Sequence, residues 1–355
     1  MIEATCDRMI NSEFKVINPV SDPNWNNLLV SCNGYTPFHV SGWCRALEES
    51  YQYQPLYISM LNHGKIHACL PIIEVRSVLT GKRGVSLPFT DYCEPILSGK
   101  GQWDKMFRLV VKIGKEKGWR YIELRNIKFL PAHIPPFVSY HGHTLDLTQG
   151  SDKVFSKLRG STRRNIKKAI NQGVEAEIFN SIEALREFYQ LNCMTRKRHG
   201  LPPQPFYFFK KLYEHMISKN QGFIVLCSHG GENIAGAVFI HFSKKAIYKY
   251  GASDLAHQNL RANNLVMWKA IEWYSQHNFE TFCFGRTEID NKGLLQFKSG
   301  WGAEERIINY YRYDLKKEKF LAGAKNGAGF FHGVFSRMPI PLLRIAGALS
   351  YRHVG

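Results

Sequence analysis

Two kinds of periodicity alternate along this chain. "YISMLNHGKIHACLPIIEV" (57–75) sets two apolar runs around a His-Gly turn, which predicts strand, turn, strand. "FIVLCSHGGENIAGAVFIHF" (223–242) reads the same way, with its His-Gly displaced by 166 residues. "LVVKIGKEKGWRYIELRN" (109–126) predicts an amphipathic helix, a glycine stop and a strand ending in Arg-Asn. "AIEWYSQHNFETFCFGRT" (270–287) repeats that order about 160 residues on, with Asn278 in the glycine's place. Two echoes at nearly one offset predict a tandem of similar α/β domains, residues 1–150 and 151–315, with a tail over 316–355.

Caps and breakers order the second half. A strand is expected over 174–179, then a helix N-capped by Ser181 and closed near His199 by Gly200 and "LPPQP". A helix over 206–219 and strands over 222–228, 234–242 and 246–252 follow. The polar loop "SDLAHQNLRANN" feeds a helix over 264–277, a strand over 280–285, a short helix in "NKGLLQFKSG" and a last strand in "ERIINYYRYDL". That order is a mixed sheet flanked by helices. "SKLRGSTRRNIKKAINQG" (156–173) predicts one helix. Phased from Leu158, it turns Leu158, Thr162, Ile166, Ala169 and Ile170 inward and Arg163, Arg164, Lys167 and Lys168 outward.

Composition changes this picture in one respect. Hydrophobic residues at 44% and charged residues at 21% are ordinary for a globular chain. No run approaches the eighteen or so apolar residues of a spanning helix, and "MIEATCDRMINSEF" lacks the apolar core of a signal peptide. The eight cysteines are scattered without a C-x-x-C pair, which fits reduced, buried thiols in a cytoplasmic protein. The net charge of +18 is the exception, and it is uneven. Residues 1–150 hold 16 basic and 13 acidic side chains, whereas residues 151–355 hold 31 and 16. The second half is built to face something anionic: a nucleic acid, a membrane surface or substrate phosphates.

Candidate chemistry gathers in that half. At "YKYGASDLAHQNLRANNLVMW" a strand end and a polar loop deliver the first turn of a helix. Its N–H groups and positive dipole end suit a phosphate or carboxyl oxygen, with Arg261 placed to add charge. Asp254 closes "YGASD" and is the candidate for orienting or deprotonating a nucleophile. Arg286 at a strand end and Lys298 on a short polar helix are candidate clamps for phosphates. Removing Lys298 is expected to abolish activity without loss of stability. No G-x-S-x-G elbow or P-loop occurs. His141 and His143 alternate along a strand without a third ligand nearby, so no metal centre is assigned.

Taken together, "STRRNIKKA … G", "NNLVMWKAIEWY … FGRT … GLLQFKSGWGAEE" and, earlier, "TPFHVSGWCRAL", "LPFTDYCEPIL" and "YIELRN" resemble the FemAB-like acyltransferases. These are a tandem-GNAT family, and the likeness is nearest to members associated with exosortase and exopolysaccharide loci. It covers about residues 36–350 and implies two tandem GNAT-like domains. In GNAT enzymes a Gln/Arg-x-x-Gly-x-Gly/Ala turn holds the pyrophosphate of coenzyme A. The corresponding "RANNLV" carries Asn264 where the first glycine stands.

The resemblance implies transfer of an acyl or aminoacyl group onto an amine or hydroxyl of a peptidoglycan, exopolysaccharide or other envelope precursor. The donor is acyl-CoA or aminoacyl-tRNA, with no tightly bound cofactor. Asp91 and Tyr92 are then expected to contact a lipid-linked sugar or peptide acceptor, and Arg163, Arg164 and Lys167 the donor's nucleic acid or a lipid pyrophosphate. The contrasting expectation is a catalytically silent tandem that docks on anionic lipid or RNA. The tail "FFHGVFSRMPIPLLRIAGALSYRHVG" is expected either to insert Phe330, Phe331 and Leu342 at an anionic membrane surface or to pack back on the core.

Overall fold

The computed structural model describes residues 14–99, 101–323 and 332–355. The chain falls into two compact units. One comprises residues 14–138 with 309–323 and 355, the other residues 139–308 with 332–354. The division therefore falls at Val138/Ser139 rather than at residue 150, and the strand Glu304–Asp314 is shared between the units at Ile308/Asn309.

In the first unit the hairpin Tyr57–Asn62/Lys65–Leu70 turns at His63 and Gly64, both with positive φ. Pro71 then interrupts the extended chain before Ile73–Ser77, because proline brings no N–H to a ladder. The helix Gln102–Glu116 packs inward through Trp103, Met106, Val110 and Ile113, at helical spacing. Tyr121–Arg125 follows in strand period, with Ile122 and Leu124 in the core and Glu123 and Arg125 on the opposite face. It pairs in parallel with Gly81–Val85. Gly84 is required at that crossing, since a Cβ there would lie 2.3 Å from the Trp119 ring.

The second unit repeats this order. Its hairpin Gly222–His229/Glu232–Phe242 carries a register shift at Cys227/Ser228, and the first hairpin carries one at Met60/Leu61. The helix Ala262–Gln276 ends before Asn278, which takes the left-handed backbone that Gly118 takes in the first unit. Thr281–Glu288 then pairs in parallel with Lys245–Ser253. Within this unit the strands run in the order Glu175–Phe179, Gly222–His229, Glu232–Phe242, Lys245–Ser253, Thr281–Glu288 and Val138–Asp146. Ala262–Gln276 is buried on most of its circumference and forms the centre of this unit's core.

The basic stretch is not one helix. Ser151–Lys157 ends at Leu158, which is extended at φ −60° and ψ 144°, and a second helix runs Gly160–Asn171. Leu158 is buried from this joint rather than from a helical face, so phasing from it misplaces the stripe. Thr162, Ile166 and Ala169 point inward, and Ile170 is 54% exposed. Arg164, Lys167 and Lys168 are exposed as expected, with Arg163 partly covered.

The joint explains the Gly-Trp-Gly turn. The Arg159 N–H donates to the Gly300 carbonyl at 3.0 Å, and a Cβ on Gly300 would fall 2.5 Å from Thr162 Oγ1. A Cβ on Gly302, at φ +70°, would fall 3.2 Å from the Lys157 carbonyl oxygen, and Trp301 between the two glycines is fully buried. The tail's last helix, Ile340–Val354, docks through Leu343 and Gly347. A Cβ on Gly347 would meet the Pro203 carbonyl at 2.0 Å. Phe330 and Phe331 lie outside the described residues.

One buried histidine should make stability pH-dependent. His241 sits between the Tyr274 hydroxyl (3.0 Å) and the Asn220 carbonyl (2.8 Å), and burial pushes its pKa down to about 4. Its neutral form is the folded form, so stability is full above the ordinary histidine range and falls as pH drops below it. Acidification from pH 7 to 5 is expected to cost about 2 kcal/mol through this group. His241→Gln should flatten that acid limb in chemical denaturation followed across pH, and an unchanged limb would remove the role.

Candidate functional site

The site begins where two strands stop pairing. The parallel ladder between Lys245–Ser253 and Thr281–Glu288 covers Lys245–Ile247 against Thr281–Cys283 and ends there. Both strands bulge just beyond. Val238 faces Tyr250 while Phe239 faces Tyr248, leaving Lys249 as an extra residue. Cys283 faces Thr144 and Arg286 faces Gly142, so Phe284 and Gly285 together oppose His143. Gly285 has φ +70°, the left-handed backbone that such bulges place on glycine. Each bulge adds local twist, and the two strands diverge.

Beyond the divergence lies a cleft of about 260 Å³. One wall is Tyr248 and Gly251–Ser253. The others are Asn263, Val266 and Met267, then Leu294 and Phe297, then Thr195, Arg198 and His199. Gly251 cannot carry a side chain, because its Cβ would fall 1.7 Å from the Tyr248 hydroxyl oxygen. Thr195 Oγ1 accepts from the Ser253 N–H (3.0 Å) and donates to the Ser253 carbonyl (3.2 Å), tying the diverging strand to the helix Ile182–Arg198. Asn263 Nδ2 donates to Ser253 Oγ at 3.1 Å and ties it to the central helix.

An adjoining recess of about 130 Å³ shares Ser253, Asn263 and Phe297 with the cleft and adds Asp254, His257, Arg261 and Asn264. Arg261 takes a left-handed backbone (φ 62°, ψ 26°) as the N-cap residue, and the helix starts at Ala262 without a side-chain cap. The helix thus begins two residues earlier than its sequence suggests, and its positive end opens on the recess. Asp254 accepts from the Ala256 N–H at 3.0 Å and faces His257 Nδ1 at 3.0 Å. The Ala256 N–H, then His257, hold its carboxyl below the usual range, which suits orienting or charge stabilisation better than proton abstraction.

Lys298 contradicts its sequence-based expectation. It is 2% exposed, and Nζ donates to the Arg286 carbonyl at 3.0 Å and the Gly285 carbonyl at 3.4 Å. It holds the bulge from beneath, beside Phe297 of the cleft wall, and is a structural support as well as a cation. Arg286 stacks on the Tyr140 ring at 4.4 Å, on the sheet face opposite His141 and Thr287. A carboxylate does stand near the two histidines, supplied by Glu305: 2.6 Å from His141 Nδ1 and 3.4 Å from His143 Nε2. Burial, more than its charged neighbours, lowers the His143 pKa, and Lys298 adds to the lowering. A cationic neighbour there does not favour a metal ion.

The structure thus brings Asp254, Arg261 and Asn264 to one recess and sets Lys298 behind its shared wall. It leaves Arg286 on Tyr140, and Arg163, Arg164 and Lys167 on the separate basic helix. Asp91 and Tyr92 belong to the first unit. Their loop is gripped by Arg125, which donates to the Leu87 (2.9 Å) and Thr90 (3.0 Å) carbonyls, and by the Tyr310 hydroxyl, 2.8 Å from the Asp91 carbonyl. Arg125 is itself paired with Glu123 at 2.9 Å. Burial alone would raise that carboxyl's pKa, but Arg125 and Arg312 outweigh it and hold it below the usual range. Sequence reasoning missed Thr195, His199, Tyr248 and Phe297 as cleft residues. The basic run "TRKRHG" was the one local signal for the first two.

Residues 156–299 match the acetyltransferase (GNAT) domain family. That segment is similar to a GNAT domain, and parts of the chain are similar to envelope-precursor aminoacyltransferases. It is 23% identical over 158 residues to a UDP-N-acetylmuramoylpentapeptide-lysine N(6)-alanyltransferase of Weissella viridescens, covering 43% of this chain and 46% of that protein. It is 30% identical over 78 residues to a lipid II:glycine glycyltransferase of Staphylococcus saprophyticus, covering 20% and 19%. The matched stretches thus span less than half of either relative. The fold is similar to that of the solved structure of FemX, with a TM-score of 0.64 and 12% identity over 84% of this chain and 96% of that one. The GNAT match begins at the basic helices and ends at Ser299, so it contains both the parted strands and the recess.

Lys298 gives a direct test of the brace. Replacing it by Met leaves two buried carbonyls without their donor, and the expected cost is about 1–3 kcal/mol in urea denaturation. A variant as stable as the parent would return Lys298 to a purely chemical role.

Proposed function

We propose that this protein transfers an acyl or aminoacyl group onto an amine or hydroxyl of an envelope precursor, of peptidoglycan or exopolysaccharide type. The observation that carries the reading is the parted strand pair with an uncapped helix end beside it. The cleft beyond the ladder suits the acyl end of a donor. The recess at Arg261, Ala262 and Asn264 suits its phosphates, which helix N–H groups and Arg261 would hold. The donor is acyl-CoA or aminoacyl-tRNA, and the names of the matched relatives favour a lipid-linked or nucleotide-linked muropeptide as acceptor.

In this reading the acceptor's lone pair attacks the ester or thioester carbonyl. The bond to the leaving oxygen or sulfur breaks, and the acceptor's proton passes to that leaving group. Asp254, kept ionised, orients the attacking group through its His257 pair and steadies the charge that develops on it. Arg261 and Lys298 contribute positive charge toward phosphates and oxyanion. Arg163, Arg164 and Lys167 meet the donor's nucleic acid or an acceptor pyrophosphate, with Arg286 a further clamp. Asp91 and Tyr92 contact the acceptor. A lipid-linked acceptor would bring this cytoplasmic enzyme to the inner face of the membrane.

Transfer is tested with purified protein, labelled acyl-CoA or aminoacyl-tRNA, and lipid-linked or nucleotide-linked muropeptide, with product read by mass spectrometry. Asp254→Asn is expected to lower kcat by about a hundredfold with KM little changed. Arg163→Ala/Arg164→Ala/Lys167→Ala should raise KM for the phosphate-bearing substrate and flatten its salt dependence. Failure of both donors on every acceptor, with the fold intact, would overturn the reading in favour of a silent docking module.

A further inference from the structure

The tail's last helix has two apolar faces, and only one of them is docked. Ile340–Val354 is fifteen residues, about 22 Å of helix. Leu343 and Gly347 seat it on the segment after the helix Ile182–Arg198. Tyr351 locks it there, accepting from Arg196 Nη2 at 2.9 Å and donating to the Pro202 carbonyl at 3.3 Å. On the far side Leu342, Ile345 and Leu349 follow one another at spacings of three and four residues and are 54%, 57% and 67% exposed. A helix with aliphatic residues outward on one side, and its docking accounted for on the other, is unusual for a surface in water.

Charge decides what covers it. Arg337 and Arg352 accompany the stripe, both exposed, whereas Arg344 lies over the Tyr189 ring at 5.5 Å on the docked side, and no acidic residue follows Glu318 in the sequence. An aliphatic ridge among arginines, in a chain of net charge +18, complements a surface that is apolar within and anionic at its rim. No helix among the described residues is long and apolar enough to cross a bilayer, so this one would lie along it.

We propose that the outer face of Ile340–Val354 is a docking surface for an anionic phospholipid bilayer, with Leu342, Ile345 and Leu349 entering the acyl boundary and Arg337 and Arg352 meeting the headgroups. Leu343, Gly347 and Tyr351 stay seated on the protein, so docking needs no rearrangement of the core. This deepens the membrane part of the proposed function, but its test does not use the transfer reaction.

The test is flotation of the full chain with vesicles of phosphatidylcholine containing about 30% phosphatidylglycerol, alongside light scattering for mass. The intact protein should float with the anionic vesicles. Leu342→Ser/Ile345→Ser/Leu349→Ser should weaken that binding by about tenfold or more while melting at the same temperature, since these side chains are already in water. Arg337→Gln should cost about fivefold on anionic vesicles and little on neutral ones. Part of the binding should survive moderate salt, because apolar insertion is not screened. The proposal is overturned if the intact protein does not float, or if the triple variant floats as well as the parent. It is equally overturned if the parent is a dimer that the triple variant breaks into monomers without change in vesicle binding, for then a second copy covers the face. Transfer onto a soluble acceptor should be unaffected by the triple variant. Absence of any transfer with vesicle binding intact would count against the transfer reading and leave this one standing.

Discussion

Two parallel strands share hydrogen bonds from Lys245 to Ile247 and from Thr281 to Cys283, and then part. The rest of the second unit is arranged around that parting. A sheet left open in its middle loses ladder bonds, so the groups near the gap need other partners. Thr195 supplies both a donor and an acceptor to Ser253, and Asn263 binds the Ser253 hydroxyl. Lys298 gathers the carbonyls of Gly285 and Arg286 on the other strand. The gap is therefore held open by side chains from three helices, each of which also presents residues to the cleft.

The same logic accounts for the most characteristic stretch of the chain. In "FGRTEIDNKGLLQFKSGWG" the first glycine takes the bulge and the lysine braces it. Phe297 forms the wall common to cleft and recess. The last two glycines let the turn pass against Thr162 and Lys157 while Trp301 fills the core between them. Residues spread over this stretch thus act on one structural problem, keeping a split sheet rigid. A rigid split matters for transfer chemistry, because small displacements of reacting groups cost large factors in rate.

Much of this was legible in the residues. The paired echoes depended on local rules: period-two runs, a left-handed residue closing each helix, and a strand after it. Local rules survive without knowledge of the fold, so His63, Gly118 and Asn278 take left-handed backbone where their spacing put them, while the second hairpin turns one residue later, at Gly230 and Gly231, with His229 closing its strand. The burial of Thr162, Ile166 and Ala169 was legible for the same reason. The helix break at Leu158 was not, because what ends that helix is the Gly300 carbonyl, some 140 residues away.

Lys298 shows the limit most clearly. By sequence it is a charged residue on a short polar helix, and burial is the exception for lysine. Only the bulge at Gly285, which exists because His143 faces two residues at once, creates the carbonyl pair that makes burial tolerable. Glu305 likewise reaches His141 and His143 through a contact between segments about 160 residues apart. The sequence by itself determined the alternating elements of a mixed α/β fold and the basic half, which rest on periodicity and composition, while the GNAT-like class came from the motif resemblance. Which cations are braces and which face a cleft was decided by tertiary structure alone, because an ammonium's role depends on the carbonyls that surround it.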